Sequence, residues 1–590
     1  MRLLPALILG VPLLAQAVSP IQERADRFLA LANAGFQSLT YVQQQALWLA
    51  STDVKPEHDA AAEWAAKGLV AFNGSPAVLN EAKALLRHRA ELTPLAVRQL
   101  ERVLWMPYLN EGPMTQPQLV AERIAAETRQ LSTMNGFQFK VAGRPVSAND
   151  LDATLGTSTA LAERRLWWEA SKEIGPPLKE GLVRLRSLRN GVARELGYDD
   201  YYALQVARYG LTREEMNAYN RKFREALRPL YLQLHTWAKH ELARKYRQPV
   251  PKAIPAHWIN NRWSQEWTGL VGGVDYDPHF KGWTAERVVK TAEAFYVGLG
   301  FDPLPASFWA KSDLYPVKPG ETRRKNSHAS CWHLDLGTDI RSLMSVAPNT
   351  QWFGTTHHEL GHGYYFMSYT RPEVPPLLRE GANPSFHEGV GDLIALATLQ
   401  VPYLKSAGVL PADYQADAMQ VLLDEALSTA VPLLFWACGT MPEWESDFYG
   451  GMPADQMNAR WWKLVRNLQG VEPPSPRGEA FCDPATKTHI NDNPAYYYSY
   501  GWATVLKYQL HDHIARKILK QDPHSCNYAG SKEVGTFLKG ILQKGATEDW
   551  RTVLKDATGE DLSTRAMVDY FKPLMAWLEV QNRGRQIGWD

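Results

Sequence analysis

Residues 355–366 read TTHHELGHGYYF, and the segment His358-Glu359-Leu360-Gly361-His362 inside them decides what kind of chain this is. On an α-helix, positions i and i+4 lie about 40° apart around the axis, so this spacing puts His358 and His362 on one face. Two imidazoles so placed can hold one Zn2+, and Glu359 beside them can reach a metal-bound water. Incidental histidines on a solvated helix would give the same letters, and Gly361 and Gly363 weaken helix propensity in favour of that alternative. A metal site needs a third ligand. The stretch PSFHEGVGDLIALATL (384–399) offers one, with Asn383 as N-cap and Pro384 at the first helical position. Glu388 and Asp392 fall at i and i+4 of an otherwise apolar helix, where unpaired carboxylates would be costly. Glu388 is therefore expected to ligate the metal, and Asp392 to accept the remaining N–H of a ligand histidine. Two histidines, one glutamate and an open fourth position form a catalytic arrangement rather than a structural one.

Working outward, the chain is overwhelmingly helical in period. Apolar residues recur every three or four positions from Pro20 to about Leu131, and again in 182–197, 213–247, 284–300, 417–439 and 536–542. One strand-like patch, SHASCWHLDLGTDIRSLMSV (327–346), has a hairpin turn at Leu336-Gly337-Thr338-Asp339. No repeat of solenoid length and no low-complexity segment occurs, and proline and glycine act as punctuation. The prediction is one large, mainly α domain with a small β element in its middle. With 590 residues, 45% hydrophobic and 22% charged, the chain can bury a large core, which excludes disorder. Lys plus Arg number 64 against 63 Asp plus Glu, so no basic footprint for nucleic acid or an anionic membrane exists. The 21 Trp and 25 Tyr read as core and groove walls.

The opening MRLLPALILGVPLLAQAVSP has a basic residue, an apolar run from Leu3 to Leu14 and the small-x-small pattern Ala15-Gln16-Ala17. It reads as a signal peptide over residues 1–17, followed by one domain over 18–590 and a secreted or periplasmic mature protein. Later apolar runs are short; the one from Ala430 to Cys438 contains Pro432, and no membrane anchor is expected in the mature chain. Four cysteines (Cys331, Cys438, Cys482, Cys526) allow two disulfides at most, and no Cys/His cluster has metal-binding spacing.

Six stretches, HHELGHGYYF (357–366), REGANPSFHEGVGD (379–392), IPAHWINNRWSQEW (254–267), SHASCW (327–332), KTHI (487–490) and YFKPLMAWL (570–578), resemble the angiotensin-converting enzyme family of peptidases, in the same order along the chain. That resemblance implies a helical zinc peptidase of the gluzincin type, split by a deep central channel with N-terminal lid helices over about 20–131. It implies release of dipeptides from the free C-terminus of oligopeptides, so the partner is a peptide and not a nucleic acid. By the same resemblance His358, His362 and Glu388 hold one zinc, and Glu359 is general base and then general acid. His328 and Ala329 hold the substrate backbone like an added strand. His489 steadies the tetrahedral intermediate together with a tyrosine. Registering from KYQLH puts that tyrosine at Tyr500, and counting without gaps from His489 gives Ser499; a tyrosine hydroxyl can donate to an oxyanion, which favours Tyr500. Gln265, Lys487 and Tyr497 match the clamp on the substrate's terminal carboxylate, for which one cation and two neutral groups are suited.

Departures from the family pattern carry expectations too. Ser499 and Val465 stand where the animal enzymes use arginines to bind activating chloride, so chloride-independent activity is expected, with Arg466 as the nearby cation that would defeat it. Ser327 and Ala515 stand at bridge-cysteine positions, the latter opposite Cys526, so the usual disulfides are not expected; Cys331 reads as a small buried side chain beside the substrate strand. Two other functions fit parts of the pattern. An oligopeptidase cutting internally would leave a buried Lys487 without a carboxylate partner. A catalytically silent peptide-binding protein of the same fold would have no use for the intact set of ligands, base and oxyanion donors.

Overall fold

Prolines and short polar caps set where this chain becomes helical. Ser19 accepts the Gln22 amide and Pro20 opens the helix Pro20–Thr52. Pro56, Pro76 and Pro117 open the helices that end at Asn73, Leu86 and Asn135, each using the position where a missing N–H costs nothing. A capping box between Thr212 and Glu215 starts the 34-residue helix Arg213–Tyr246. The computed structural model describes residues 19–589 except 110, 111, 268, 271–273, 319 and 327, and the side chain of Thr429. The expected signal peptide (1–17) and Ser327 lie outside the described residues.

The architecture is the expected one: mainly helical, one domain. The main apolar core runs from Leu79 to Trp589. A second, smaller cluster (Ala25, Leu29, Ala82, Leu85, Leu100, Val103) belongs to the N-terminal helices and meets the body at Leu377. The strand-like patch forms an antiparallel hairpin, Ser330–His333 with Ile340–Leu343, in the register Ser330↔Leu343 and His333↔Ile340. Its turn is held by the Asp335 carboxylate, which accepts the amides of Gly337 at 2.7 Å and Asp339 at 2.9 Å. Two further strand pairs, Phe139–Val141 with Arg144–Val146 and Ile254–Pro255 with Val471–Glu472, were not expected; at two or three residues they are too short to carry a period.

The expected helix over 417–439 extends further, as Ala418–Tyr449, with wide turns at Ala426–Ala430 and Trp436–Thr440. Each wide turn is followed within two residues by a proline, Pro432 or Pro442, whose missing N–H and bulky ring shift the hydrogen-bond ladder. By length and composition this helix could cross a membrane. Here Trp436, Ala437, Cys438 and Trp444 are fully buried in the protein core.

Three helices frame the middle of the molecule. We call them the histidine helix (Thr350–Tyr369), the glutamate helix (Pro384–Thr398) and the tyrosine helix (Tyr498–His513). The glutamate helix packs against both of the others. Asn349 caps the first by accepting the Trp352 amide at 2.8 Å, and Asn383 caps the second by accepting the Ser385 amide at 2.9 Å.

Candidate active site

The histidine and glutamate helices bring His358, His362 and Glu388 together, with one donor atom of each within 4.8 Å of the others. The two Nε2 atoms face each other at 3.1 Å, and Glu388 Oε2 lies 3.7 Å from His358 Nε2. Ligands about 2.0–2.1 Å from a tetrahedral zinc stand about 3.3 Å apart, so the donor set fits that ion. On the other side of the ring, His358 Nδ1 is 3.3 Å from Asp392 Oδ1, which leaves Nε2 free as a ligand atom. His357, next in sequence, faces away and spends both nitrogens on the Phe353 carbonyl and the Tyr403 hydroxyl.

One of the two glycines that weighed against a helix, Gly361, turns out to permit the contact. A Cβ on Gly391 would sit 2.8 Å from the His358 ring, and one on Gly361 would sit 3.3 Å from Gly391 Cα and 3.0 Å from the Tyr296 hydroxyl. The two helices approach closely because both lack side chains there. The interior-glycine cost of about 1 kcal/mol each is offset by the packing it allows.

Electrostatics favour a cation at this point. Burial pulls the His358 imidazole down, yet the hydrogen bond and charge of Asp392, with Glu359 and Glu388, outweigh it and raise the group to about 9. Three carboxylates around two imidazoles thus already draw in a positive charge, which a divalent ion supplies. Burial lifts the Glu359 carboxyl to about 7, and its Oε2 is buried with no hydrogen-bond partner. An unpartnered buried carboxylate oxygen beside a candidate metal site is what a proton-accepting group requires. The His358 and Glu388 side chains keep 18% and 33% of their surface accessible, although the helices around them are buried, so they line an internal cleft.

A second group of residues gathers in the Ile254–Trp267 segment and the 487–500 arm. Lys487 Nζ donates to Gln265 Oε1 at 2.6 Å, and the Tyr497 hydroxyl donates to the same oxygen at 3.3 Å. Lys487 is 5% exposed, and its ammonium lies 4.4 Å above the Trp263 ring and 5.0 Å from the Tyr497 ring. Burial pushes it down to about 7. Trp263 was overlooked as a site residue; its place between Arg262 and Ser264 gives no local signal, and only the fold sets it under the lysine. This group joins the other expected residues through aromatic contacts: His489 to Tyr497 at 4.9 Å, Tyr497 to Tyr500 at 5.0 Å, and His489 to Tyr500 at 6.0 Å between ring centres. Burial, with the Lys487 charge, lowers His489 to about 4, so at neutral pH its ring is neutral and has one N–H to donate.

Tyr500, not Ser499, joins this aromatic group. Ser499 is fully buried on the other side, where its Oγ accepts from the Tyr209 hydroxyl at 2.8 Å. His328 and Ala329 lie just ahead of the first hairpin strand, which begins at Ser330. The His328 amide bonds the Asn326 side chain at 2.9 Å, and no hydrogen bond joins either residue to the rest of the site among the described residues. Val465 is a buried apolar side chain, and Arg466 points outward to Glu472 at 3.9 Å. All four cysteines carry free thiols; Cys438, Cys482 and Cys526 are buried and Cys331 is partly so.

The sequence profile described as angiotensin-converting enzyme matches residues 19–589. The angiotensin-converting enzyme of Rattus norvegicus is 31% identical over 462 residues, covering 75% of this chain and 34% of that protein. That of Oryctolagus cuniculus is 32% identical over 466 residues (75% and 35%), and that of Bos taurus 33% over 447 residues (72% and 33%). The match spans about a third of the length of these relatives. A profile match over nearly the whole described chain, on a helical fold with a His₂Glu cluster at its centre, makes this chain a member of the angiotensin-converting enzyme family.

Proposed function

We propose that this chain is a zinc-dependent peptidyl-dipeptidase that releases dipeptides from the free C-terminus of oligopeptides. The observation that carries the reading is a buried ammonium without a close carboxylate partner, Lys487, on an aromatic wall that runs through Tyr497 to Tyr500, whose hydroxyl feels the charge of Glu388 in the His₂Glu cluster. Zinc held by His358, His362 and Glu388 would polarise a peptide carbonyl and acidify a water. Glu359 takes the attacking water's proton on its unpartnered Oε2 and delivers it to the departing nitrogen. Tyr500 and neutral His489 donate to the carbonyl oxygen as negative charge grows on it, an effect worth about 3 kcal/mol per donor. Lys487 and Tyr497, now both on the Gln265 oxygen, are the donors for which a substrate carboxylate competes. The edge of the hairpin ahead of Ser330, with His328 and Ala329, is the natural place for the substrate backbone.

Internal cleavage is the weaker reading, because it leaves Lys487 without a close ion pair; among the described residues Glu266, Asp152 and Asp492 act on it only through charge at longer range. Chloride-independent activity is part of the proposal. A neutral Ser499 and an apolar Val465, with Arg466 turned outward, leave an internal anion without guanidinium partners at those positions. Export to the periplasm or medium rests on residues 1–17 alone.

The test is hydrolysis of one N-blocked tripeptide and its C-terminal amide, each with and without a chelator. Chelator-sensitive release of a dipeptide from the free acid only is expected. Equal cleavage of the amide would retire the clamp, and no cleavage of either with zinc bound would retire the peptidase reading. A steep rise in rate with chloride at fixed ionic strength would overturn the chloride expectation.

A further inference from the structure

The arm that carries His489, Tyr497 and Tyr500 contains a backbone feature its sequence does not announce. Ala495 has φ +55°, in the left-handed region that an alanine seldom enters, and it is fully buried. Pro494 before it has no N–H to give. The Ala495 amide donates to Glu445 Oε1 at 2.7 Å, across the core from the helix Met441–Tyr449. Glu445 is 1% exposed, its Oε2 has no hydrogen-bond partner, and burial lifts its carboxyl to about 8. A buried acid aimed at one amide of a strained turn is there for a reason, since burying the group is costly in itself.

The other end of the same turn is pinned as well. Arg189 Nη2 donates to the Asn491 carbonyl at 2.8 Å, and Gln130 Nε2 donates to the Asn491 side chain at 2.7 Å. Asn491 is two residues from His489, and Ala495 is two residues from Tyr497. The segment between them therefore sets the angle between the imidazole and the two tyrosines, whose rings lie 4.9–6.0 Å from it.

We infer that Glu445 is a positioning residue for the reaction: by accepting the Ala495 amide it locks the left-handed turn that aims His489, Tyr497 and Tyr500 at one substrate. This rests on the peptidase reading above, and Glu445 itself touches none of the proposed reacting groups. Without the acceptor, Ala495 relaxes toward ordinary backbone angles and the tyrosines lose their common aim.

The experiment compares zinc-loaded wild type, Glu445→Met and Glu445→Gln by kcat/KM on the blocked tripeptide and by hydrogen exchange. Met keeps the volume and removes the acceptor; Gln keeps one carbonyl acceptor, as a neutral acid does. In Glu445→Met, kcat/KM should fall at least tenfold and exchange in 489–500 should speed up at least tenfold. Zinc content and exchange in 350–398 should stay as in wild type. Glu445→Gln should recover kcat/KM to within about threefold. The inference is overturned by a Met variant with wild-type rates and wild-type exchange in 489–500, or by a Gln variant as impaired as Met. If the Met variant does not fold, a fast-exchanging Ala495 amide in the wild type overturns it alone. Exchange needs no turnover, so an inactive wild type would sink the peptidase reading while the exchange data still decide whether Glu445 holds the turn.

Discussion

A buried lysine whose hydrogen-bond partner is a neutral amide oxygen is an uncommon residue, and its pH behaviour is a sharp handle on the site. Burial lowers the Lys487 ammonium to about 7, so in the free protein it is charged below that pH and neutral above it. The sign follows: KM for a free-acid peptide should rise as pH climbs through 7, by up to about tenfold per pH unit, while the inhibition constant of the uncleaved C-terminal amide stays flat. Lys487→Met should raise KM for the acid and remove that pH dependence, which steady-state kinetics between pH 6 and 9 would read. A pH-independent KM would take Lys487 out of the clamp. Glu359 makes the complementary case for chemistry rather than binding. Glu359→Ala should lower kcat by about 10²–10⁴ with one zinc still bound per chain, measured by single-turnover assay and metal analysis. Near-normal rates would remove Glu359 from the proton-transfer role.

Among the elements, the contact between the histidine and glutamate helices matters most, and it is made by absent side chains. Local propensity marks Gly361 and Gly363 as helix weakeners. That arithmetic is sound for an isolated helix and reverses once a second helix lies across it, because Gly391 Cα stands where a side chain on position 361 would go. Gly391→Ala would place a methyl 2.8 Å from the His358 ring and push the imidazole off its ligand position. Zinc affinity should fall about tenfold or more, as it does when a ligand's supporting group is lost, and competition with a chromogenic chelator would measure it. Unchanged affinity would mean the ring has room to move. The hairpin was legible because its strand-like patch and the turn at Leu336-Gly337-Thr338-Asp339 are local. The pair Ile254–Pro255 with Val471–Glu472 was not, since two residues joined across more than 200 positions leave no pattern in either stretch.

For the molecule as a whole, the N-terminal helices have their own small core. Trp48 packs edge-on against Trp332 of the hairpin at 5.6 Å, the Asn326 amide bonds the Ser51 carbonyl at 2.8 Å, and Gln37 reaches the Asp335 carbonyl at 2.8 Å. A unit with a small core of its own opens more easily than the larger body it packs against. Hydrogen exchange in mild denaturant should therefore release residues 20–106 before 350–398, and Trp48→Ala should widen that gap by loosening a contact worth about 3 kcal/mol. Simultaneous release of both regions would show one cooperative unit instead. The sequence by itself determined the helical class, the shared face of His358 and His362 and that of Glu388 and Asp392, because positions i and i+4 are a property of one helix and need no knowledge of the rest; that the two faces meet was decided by the packing of the two helices. Only the tertiary structure decided that Tyr500, already favoured by its hydroxyl, joins the rings of His489 and Tyr497 while Ser499 is buried against Tyr209, that Trp263 lies under Lys487, that Gly361 and Gly391 let two helices meet, and that Glu445 reaches Ala495. Those contacts join residues as far apart as Gln265 and Lys487. No local period encodes such a meeting, which follows from how the whole core packs.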